Sequence, residues 1–327
     1  MFWDLHFHST DSDGLFSNDH IITQIQSIDP HNQGIWAMTN HDCYSPGFVL
    51  PAWDAGIHAI WATEISAHSK ELDTSLHITC YTPRLSESIR QLVDGVLVGK
   101  TQKVRKQILL LESNGFPIGL DSFMNWTLAQ WYRPITLSNA HITQYLFDKQ
   151  RKDETLRVLA QHTQSTIVDG THFLDECLKK TGNYRHLGSI EIEPYEPELS
   201  DLLSLAQHED MVLSVAHPNF SFHPIYKRAA ANANIDIRWD HFYSHILPVL
   251  DELGIRNYEI NTMATPEQAR AIHAIVEKRN GLITYGSDNH GYSKPDSKHG
   301  LLWVQNPYLT SEMLEKTRTK LRSFITH

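Results

Sequence analysis

Short apolar runs that end in histidine or carboxylate residues recur along the chain. The first run ends at His6 and His8, and Ser, Asp and Gly residues cluster directly after it at residues 9–14. Side chains at i and i+2 of a strand share one face, so both imidazoles point towards one centre. The polar cluster predicts a turn at the strand end. Two histidines at this spacing indicate a candidate pair of metal ligands.

Five further runs of this kind follow. In one of them Glu64 interrupts an apolar stretch, where an isolated carboxylate is costly to bury unless a cation neutralises it. Singly, each run is explained by a strand end with one polar residue; jointly, six such ends indicate a common site. Parallel strands of an α/β barrel bring their carboxyl ends to one face, so the polar residues are expected to converge. These residues are Asn40, His41, Asp42, Glu64, His77, His217, Asp288 and His290.

The alternation of strands and turns stops between Pro83 and Pro194, where helical spacing takes over. Helices are predicted there at residues 100–114, 139–149, 153–164 and 172–180. Alternation of helices and strands resumes after residue 191. It predicts helices at 198–207 and 266–279 and strands at 212–216, 258–261 and 282–286. We therefore predict a discontinuous α/β domain, residues 1–83 and 190–327, interrupted by a helical subdomain at 84–189.

Composition narrows the class of protein. The chain has 327 residues and a net charge of −10, and its Lys and Arg residues are scattered, which argues against a protein that coats nucleic acid. Its three cysteines form no paired spacing. No signal peptide and no apolar run of membrane-spanning length is evident, so we expect a cytoplasmic enzyme that does not bind membranes.

The order of the motifs resembles the PHP (polymerase and histidinol phosphatase) family of metal-dependent phosphoesterases. The matching stretches are residues 4–81 and about 211–299. The closest likeness is to bacterial members that act on nucleotide phosphates and carry a helical insertion. The resemblance implies a distorted (β/α)7 TIM-like barrel with an inserted helical subdomain. The family's nine metal ligands fall on residues of the expected type: His6, His8, Asp13, His41, Glu64, His77, His217, Asp288 and His290.

The resemblance also implies a trinuclear metal site in which Glu64 bridges two ions. One ion falls to His6, His8, Glu64 and Asp288, a second to Asp13, His41 and His290, and a third to Glu64, His77 and His217. Nitrogen and carboxylate ligands without thiolate suit manganese, iron or zinc, so two to three such ions are expected. Their local positive charge would hold a phosphate in spite of the negative net charge.

The implied activity is hydrolysis of a small phosphomonoester, a nucleotide or nucleoside 3′,5′-bisphosphate, by a metal-bridged hydroxide. Two alternatives stay open: a histidinol-phosphate phosphatase, and a metal-binding PHP module without efficient catalysis. The candidate catalytic residues are Glu64, His217, His290 and His141, and the candidate substrate-binding residues are His141, Arg133 and Asn139.

Two positions depart from the family pattern. Asn40 stands where the family has Asp before the histidine of the second motif, which alters the charge beside the ligands. Asn139 stands in the insertion where nucleotide-acting members carry an arginine that clamps phosphate, two residues before His141. Arg133 could take over that role, and a solvated loop arginine before Pro134 is an equally good interpretation.

Overall fold

The structure is a computed structural model, and it describes residues 3–131, 136–163, 167–179, 182–190, 196–218, 240–262, 264–291 and 308–325. The chain divides into two compact units. Unit 1 consists of Met1–Asp94 and Glu196–His327, and unit 2 consists of Gly95–Tyr195. None of the helices in these ranges is long and apolar enough to cross a membrane.

The described part of unit 1 contains seven strands in two sheets. The smaller sheet pairs β1 with β2 in parallel, and the larger one has the order β3-β4-β5-β6-β7. The strands are β1 Trp3–Phe7, β2 Ile35–Met38, β3 Trp61–Ser69, β4 Thr74–Thr82, β5 Val212–Val215, β6 Tyr258–Asn261 and β7 Ile283–Gly286.

The expectation of uniformly parallel strands is wrong for β4. This strand pairs antiparallel with both β3 and β5, whereas β5, β6 and β7 pair in parallel. The physical reason is the connection between β3 and β4, a turn at residues 70–73, because a parallel return needs a crossover of about a dozen residues or more. His77 therefore lies near the start of its strand, at the sheet end where β5 finishes, and the Ala216 N–H donates to its carbonyl.

The described strands form two sheets and no closed barrel. Isolated parallel bridges nevertheless join the two sheets on both sides. On one side Phe7 bridges to Asn289, beyond the end of β7. On the other side Trp36 bridges to Ala59 and His41 bridges to Glu64. The two sheets thus share hydrogen bonds along both edges of the β1-β2 pair.

Helices of unit 1 cover the strands through apolar side chains. Residues 266–278 form one of them, and its Thr265 hydroxyl and Gln268 side chain cap each other's backbone N–H groups. The large sheet packs on these helices around a core that includes Leu213, Tyr258 and Ile272. The helices are α1 Asn18–Ile28, α2 Pro46–Asp54, α3 Glu87–Ser113 (which continues into unit 2), α8 Leu199–His208, α9 Leu247–Glu252, α10 Pro266–Lys278 and α11 Ser311–Arg322.

The described residues of unit 2 are helical. Their core is formed by apolar side chains that include Ile108, Phe123 and Phe173. The predicted helix at residues 100–114 belongs to α3, which begins earlier, and the segment predicted at 172–180 is a short helix followed by a π-helical turn, Leu174–Leu178. The remaining helices of this unit are α4 Leu120–Trp131, α5 Asn139–Leu146, α6 Lys152–His162 and α7 Gly170–Phe173, with a 3₁₀ turn at Arg185–Leu187.

Gly286, the last residue of β7, allows β1 and β7 to approach closely. A Cβ atom there would lie 2.1 Å from Cβ of His6 and 3.1 Å from Oε2 of Glu259. We expect Gly286→Ala to lower the free energy of unfolding by about 3 kcal/mol, because packed strands must separate to admit the methyl group. Denaturant unfolding measures this change. Gly47→Ala in α2 is the matched control, since its Cβ would meet a single flexible side-chain atom, Nδ2 of Asn18; a loss as large as for Gly286→Ala would contradict the explanation.

Candidate metal centre

All nine predicted ligands lie in unit 1, in or directly after strands. His6 is in β1 and His8 follows it, Glu64 is in the first half of β3, and His77 is near the start of β4. The remaining five follow strands: Asp13 in the turn after β1, His41 after β2, His217 after β5, and Asp288 and His290 after β7.

The side chain of Glu64 lies at the centre of the group and is 1% exposed. Its two oxygens face different imidazoles. The distances from Oε2 are 3.1 Å to Nδ1 of His41, 3.3 Å to Nε2 of His6 and 3.5 Å to Nε2 of His8, and those from Oε1 are 2.9 Å to Nδ1 of His77 and 3.0 Å to Nε2 of His217. Glu64 therefore presents one oxygen to each of two ligand sets.

Asp288 completes the set on one side of Glu64. Its Oδ1 lies 3.4 Å from Nε2 of His6 and 3.2 Å from Nε2 of His8, and the two Nε2 atoms are 3.2 Å apart. Asp13 gathers a second set, with Oδ1 3.3 Å from Nε2 of His290 and Oδ2 3.8 Å from Nε2 of His41. His8 belongs to both sets, because its Nδ1 lies 3.9 Å from Oδ1 of Asp13.

These spacings fit divalent metal ions. Zinc lies about 2.0–2.2 Å from imidazole nitrogen or carboxylate oxygen, so two ligands of one tetrahedral ion are separated by about 3.4 Å. Within the described residues, four groups have ligand atoms within 4.8 Å of one another: His8, Asp13, His41 and His290; His6, Glu64 and His217; His6, His8 and Asp288; and His41, Glu64 and His77. They overlap with the three expected ion sites, and the number of ions stays a prediction.

Burial grades from the floor of the centre to its rim. The His6 and His8 side chains are fully buried, whereas His41 and His290 are 17% and 18% exposed and His77 is 39% exposed. A floor of buried ligands holds an ion away from bulk water, and a partly exposed rim leaves room for a small molecule to approach.

The electrostatics of the cluster favour ionised carboxylates. Burial raises the pKa of Glu64, but the imidazoles of His41, His6 and His77 outweigh it and hold that pKa well below its usual value. The pKa of Asp13 is likewise low, because His41 and His290 outweigh its burial. Glu64 and Asp13 therefore carry negative charge within the cluster.

The imidazoles respond in opposite ways. Burial, together with the neighbouring His290, lowers the pKa of His8 to about 3. Burial also disfavours protonated His290, but the carboxylates of Asp13 and Asp288 outweigh it and raise its pKa to about 9. His8 thus presents a neutral ring, as a metal ligand requires, while a cation bound beside His290 must displace a proton from it.

Two ligand-bearing positions have left-handed backbone conformations. The φ angles are 31° at His217 and 52° at Asp288, where residues with a Cβ are disfavoured. Such conformations cost about 1–3 kcal/mol each and persist where the surroundings impose them, commonly at functional sites. From these two strand ends the side chain of His217 reaches Oε1 of Glu64, and that of Asp288 reaches the imidazoles of His6 and His8.

Sequence analysis missed Glu259, a fully buried carboxylate in β6. Its Oε2 lies 2.6 Å from Nδ1 of His6, and its Oε1 accepts from the His217 N–H at 3.2 Å. The signal was present, since Glu259 is a lone carboxylate inside a four-residue strand, as Glu64 is inside a longer one. Asp4 was also missed: burial raises its pKa to about 6, and it accepts from the backbone N–H and the hydroxyl of Ser287.

Asn40, the departure from the family's Asp, is fully buried beside the turn after β1. Its Oδ1 accepts from the Ser9 N–H and the Ser12 hydroxyl, and its Nδ2 donates to the hydroxyls of Ser9 and Ser45. A carboxylate could not donate the last two bonds. The amide therefore supports the turn that carries Asp13 without adding charge.

The predicted substrate-binding residues are elsewhere in the chain. His141 and Asn139 belong to unit 2, and Arg133 lies outside the described residues. His141 is buried in the first turn of α5, where its Nδ1 accepts from the Ser138 N–H at 3.0 Å. This contact caps the helix, and the roles of all three residues stay predictions.

The central position of Glu64 leads to a test. We expect Glu64→Gln to retain the fold, because the amide has nearly the same volume, and to lose at least one metal ion per chain. The reason is that an amide neutralises no cation and replaces one of the two oxygens by a donor. Elemental analysis of metal-replete protein, with circular dichroism as the folding control, measures this. Unchanged metal content would show that Glu64 does not bind metal.

Comparisons with known proteins identify the fold. No protein-family model matches the sequence, and the curated proteins yield no match. Among solved structures, a Bifidobacterium adolescentis protein named as a metal-dependent phosphoesterase is similar at a TM-score of 0.67 and 18% identity, over 100% of this chain and 97% of its own. An amidohydrolase from Chromobacterium violaceum, with bound sulfate and no metal, has a TM-score of 0.69 and 16% identity, over 100% and 98% of the two chains. The chain has the mixed α/β fold of these two proteins.

Proposed function

We propose that the protein is a metal-dependent phosphoesterase of the PHP type that hydrolyses a small phosphomonoester. The observation that carries the proposal is the convergence of six imidazoles and two further carboxylates around buried Glu64. Two structural neighbours support it. One bears the name of a metal-dependent phosphoesterase, and the other holds sulfate, which has the tetrahedral shape of phosphate.

Two to three manganese, iron or zinc ions are the proposed cofactors, held by the nine residues of the cluster. When bound, such ions acidify coordinated water and neutralise the charge of a phosphate. The protein's own side chains divide the remaining work. Glu64 and Asp288 contact the buried imidazoles of His6 and His8. The partly exposed His41, His77 and His290 border the space that a phosphate would enter. His141, which is not a candidate ligand, is the proposed proton donor to the leaving oxygen, and His217 and His290, whose ring nitrogens would hold ions, are proposed to orient the phosphate.

The proposal includes the finer fold, a distorted seven-stranded barrel of the PHP type. The isolated bridges from Phe7 to Asn289 and from Trp36 to Ala59 support it, since they join the two sheets on both sides. A ring of this kind would place all seven strand ends that carry or neighbour ligands around one centre.

The activity is tested with a panel of phosphomonoesters. We expect the manganese-loaded protein to release inorganic phosphate, a chelator to abolish the release, and added manganese to restore it. Absence of phosphate release from every ester by fully metal-loaded protein would contradict the proposal, and hydrolysis of amides instead would assign the site to amide chemistry.

Two matched histidine variants test whether the activity depends on the cluster. His41→Gln removes a ligand candidate and is expected to reduce kcat/KM by about 100-fold or more. His273→Gln is the control, because His273 lies on α10 and pairs with Glu277 outside the cluster. Equal effects of the two substitutions would show that activity does not depend on the cluster.

The narrower proposal is a preference for nucleotides or nucleoside 3′,5′-bisphosphates, and it depends on the insertion. Asn139→Arg restores the arginine that the family pattern implies at this position. We expect it to lower the KM for a nucleoside bisphosphate and to leave the KM for an aryl phosphate unchanged, because an added guanidinium binds the second phosphate. Equal effects on both substrates would place residue 139 outside the substrate pocket.

A further inference from the structure

The carboxylate of Glu259 contacts two of the candidate ligands, His6 and His217. The two oxygens of its carboxylate are divided between different residues, with Oε2 2.6 Å from Nδ1 of His6 and Oε1 3.2 Å from the backbone nitrogen of His217. No oxygen of Glu259 is among the atoms of the four candidate metal groups in the described residues. Its contacts are therefore with the ligands, and it acts on a bound ion only through them.

The contact with His6 determines which ring nitrogen is available for a metal ion. Nδ1 of His6 donates its hydrogen to Glu259, so the lone pair of the neutral ring is at Nε2. That nitrogen faces Nε2 of His8, Oε2 of Glu64 and Oδ1 of Asp288. A carboxylate on the far side of a metal-binding imidazole fixes both its tautomer and its orientation.

Close packing leaves the His6–Glu259 pair little freedom to rearrange. Gly286 of the neighbouring strand lies so near that a Cβ on it would be 2.1 Å from Cβ of His6 and 3.1 Å from Oε2 of Glu259. The side chain of His6 is fully buried, as is that of Glu259. Glu259 of β6 therefore holds the ring at Nδ1, and Gly286 of β7 leaves Cβ of His6 no room to shift, with Nε2 directed at the other candidate ligands.

The second contact acts on the strained end of β5. His217 has a φ of 31°, a conformation that the hydrogen bond donated by its backbone N–H to Oε1 of Glu259 helps to retain. The Nε2 of the same residue lies 3.0 Å from Oε1 of Glu64, so a rotation of this backbone would move a second ligand.

We infer that Glu259 is a positioning residue of the metal centre, which fixes the ring of His6 and the backbone of His217 through the two oxygens of one carboxylate. The inference rests on the metal-binding part of the proposed function and is independent of the substrate. It requires both the acceptor character and the length of the Glu259 side chain.

Glu259→Gln removes the acceptor character at one of the two contacts. If the amide oxygen stays with the His217 N–H, the amide nitrogen faces Nδ1 of His6 and favours the tautomer with its hydrogen on Nε2, which cannot bind a metal ion. If the amide is reversed, its nitrogen opposes the His217 N–H instead. In either arrangement we expect the affinity for Zn²⁺ to fall by about 10–100-fold. Competition with a chromophoric zinc chelator measures the affinity without any substrate.

Two further variants make the test specific. Glu259→Asp keeps the charge but shortens the side chain, so it cannot span both contacts, and we expect a loss of zinc affinity here as well. Thr284→Val is the control, because Thr284 pairs with Glu259 in the sheet and its hydroxyl contacts Ser214. It removes a buried polar contact beside Glu259 and is expected to leave zinc affinity within about threefold of wild type, at some cost in stability.

Each result bears on the inference. Wild-type affinity in Glu259→Gln would overturn it, and wild-type affinity in Glu259→Asp would show that charge alone matters and would overturn positioning, including when Glu259→Gln fails to fold. An equal loss in Thr284→Val would indicate general packing and would also overturn it. If the wild-type protein binds zinc but hydrolyses no phosphate ester, the proposed phosphoesterase activity is contradicted. The role of Glu259 is still tested by the same zinc titrations.

Discussion

The charge of Glu64 is the constraint on which the rest of the site depends. An ionised carboxylate that is removed from water costs several kcal/mol unless positive or hydrogen-bonding groups surround it. Imidazoles in or just after β1, β2, β4 and β5 reach its two oxygens, so three strands must end and one, β4, must begin at this point. Neutral rings stabilise the carboxylate only partly, and a divalent cation held between them would supply the remaining positive charge. The same convergence of strands that brings imidazoles to Glu64 therefore also brings the proposed metal ligands together.

Sequence periodicity predicted those parts of the fold that depend on local patterns. The strand at 258–261 and the helix at 266–278 follow from alternation and from capping residues close in sequence. The direction of β4 could not be predicted in this way, because an apolar run has the same pattern in either direction. It is decided by the length of the turn after Ser69, and a four-residue connection has room only for an antiparallel return.

The candidate ligands were accessible to sequence analysis because most of them end or interrupt an apolar run, where a polar side chain stands out. Glu259 and Asp4 were not recognised, although both are buried carboxylates that contact the site. The apolar residues around Glu259 indicated its burial, but the partners of the two carboxylates, His6 and Ser287, are far away in the sequence and cannot be identified from a single chain. The reason for Asn40 could not be predicted either. Its departure from the family pattern is explained only by the hydroxyls that surround it in the structure.

The contacts between β1 and β7, here called the seam, join parts of the chain that are far apart in sequence. The β3–β4 hairpin joins neighbouring segments, whereas the Ser287 hydroxyl and Asp4, which bond across the seam, are 283 positions apart. Contacts between distant positions pay their loop-closure entropy before they gain energy, so they form late. His6 and His8 stand on one side of this seam and Asp288 and His290 on the other. A chain in which the seam is open holds these two pairs of candidate ligands apart, so opening of the seam alone would weaken a metal site that needs both pairs, even with the hairpin and the helices intact.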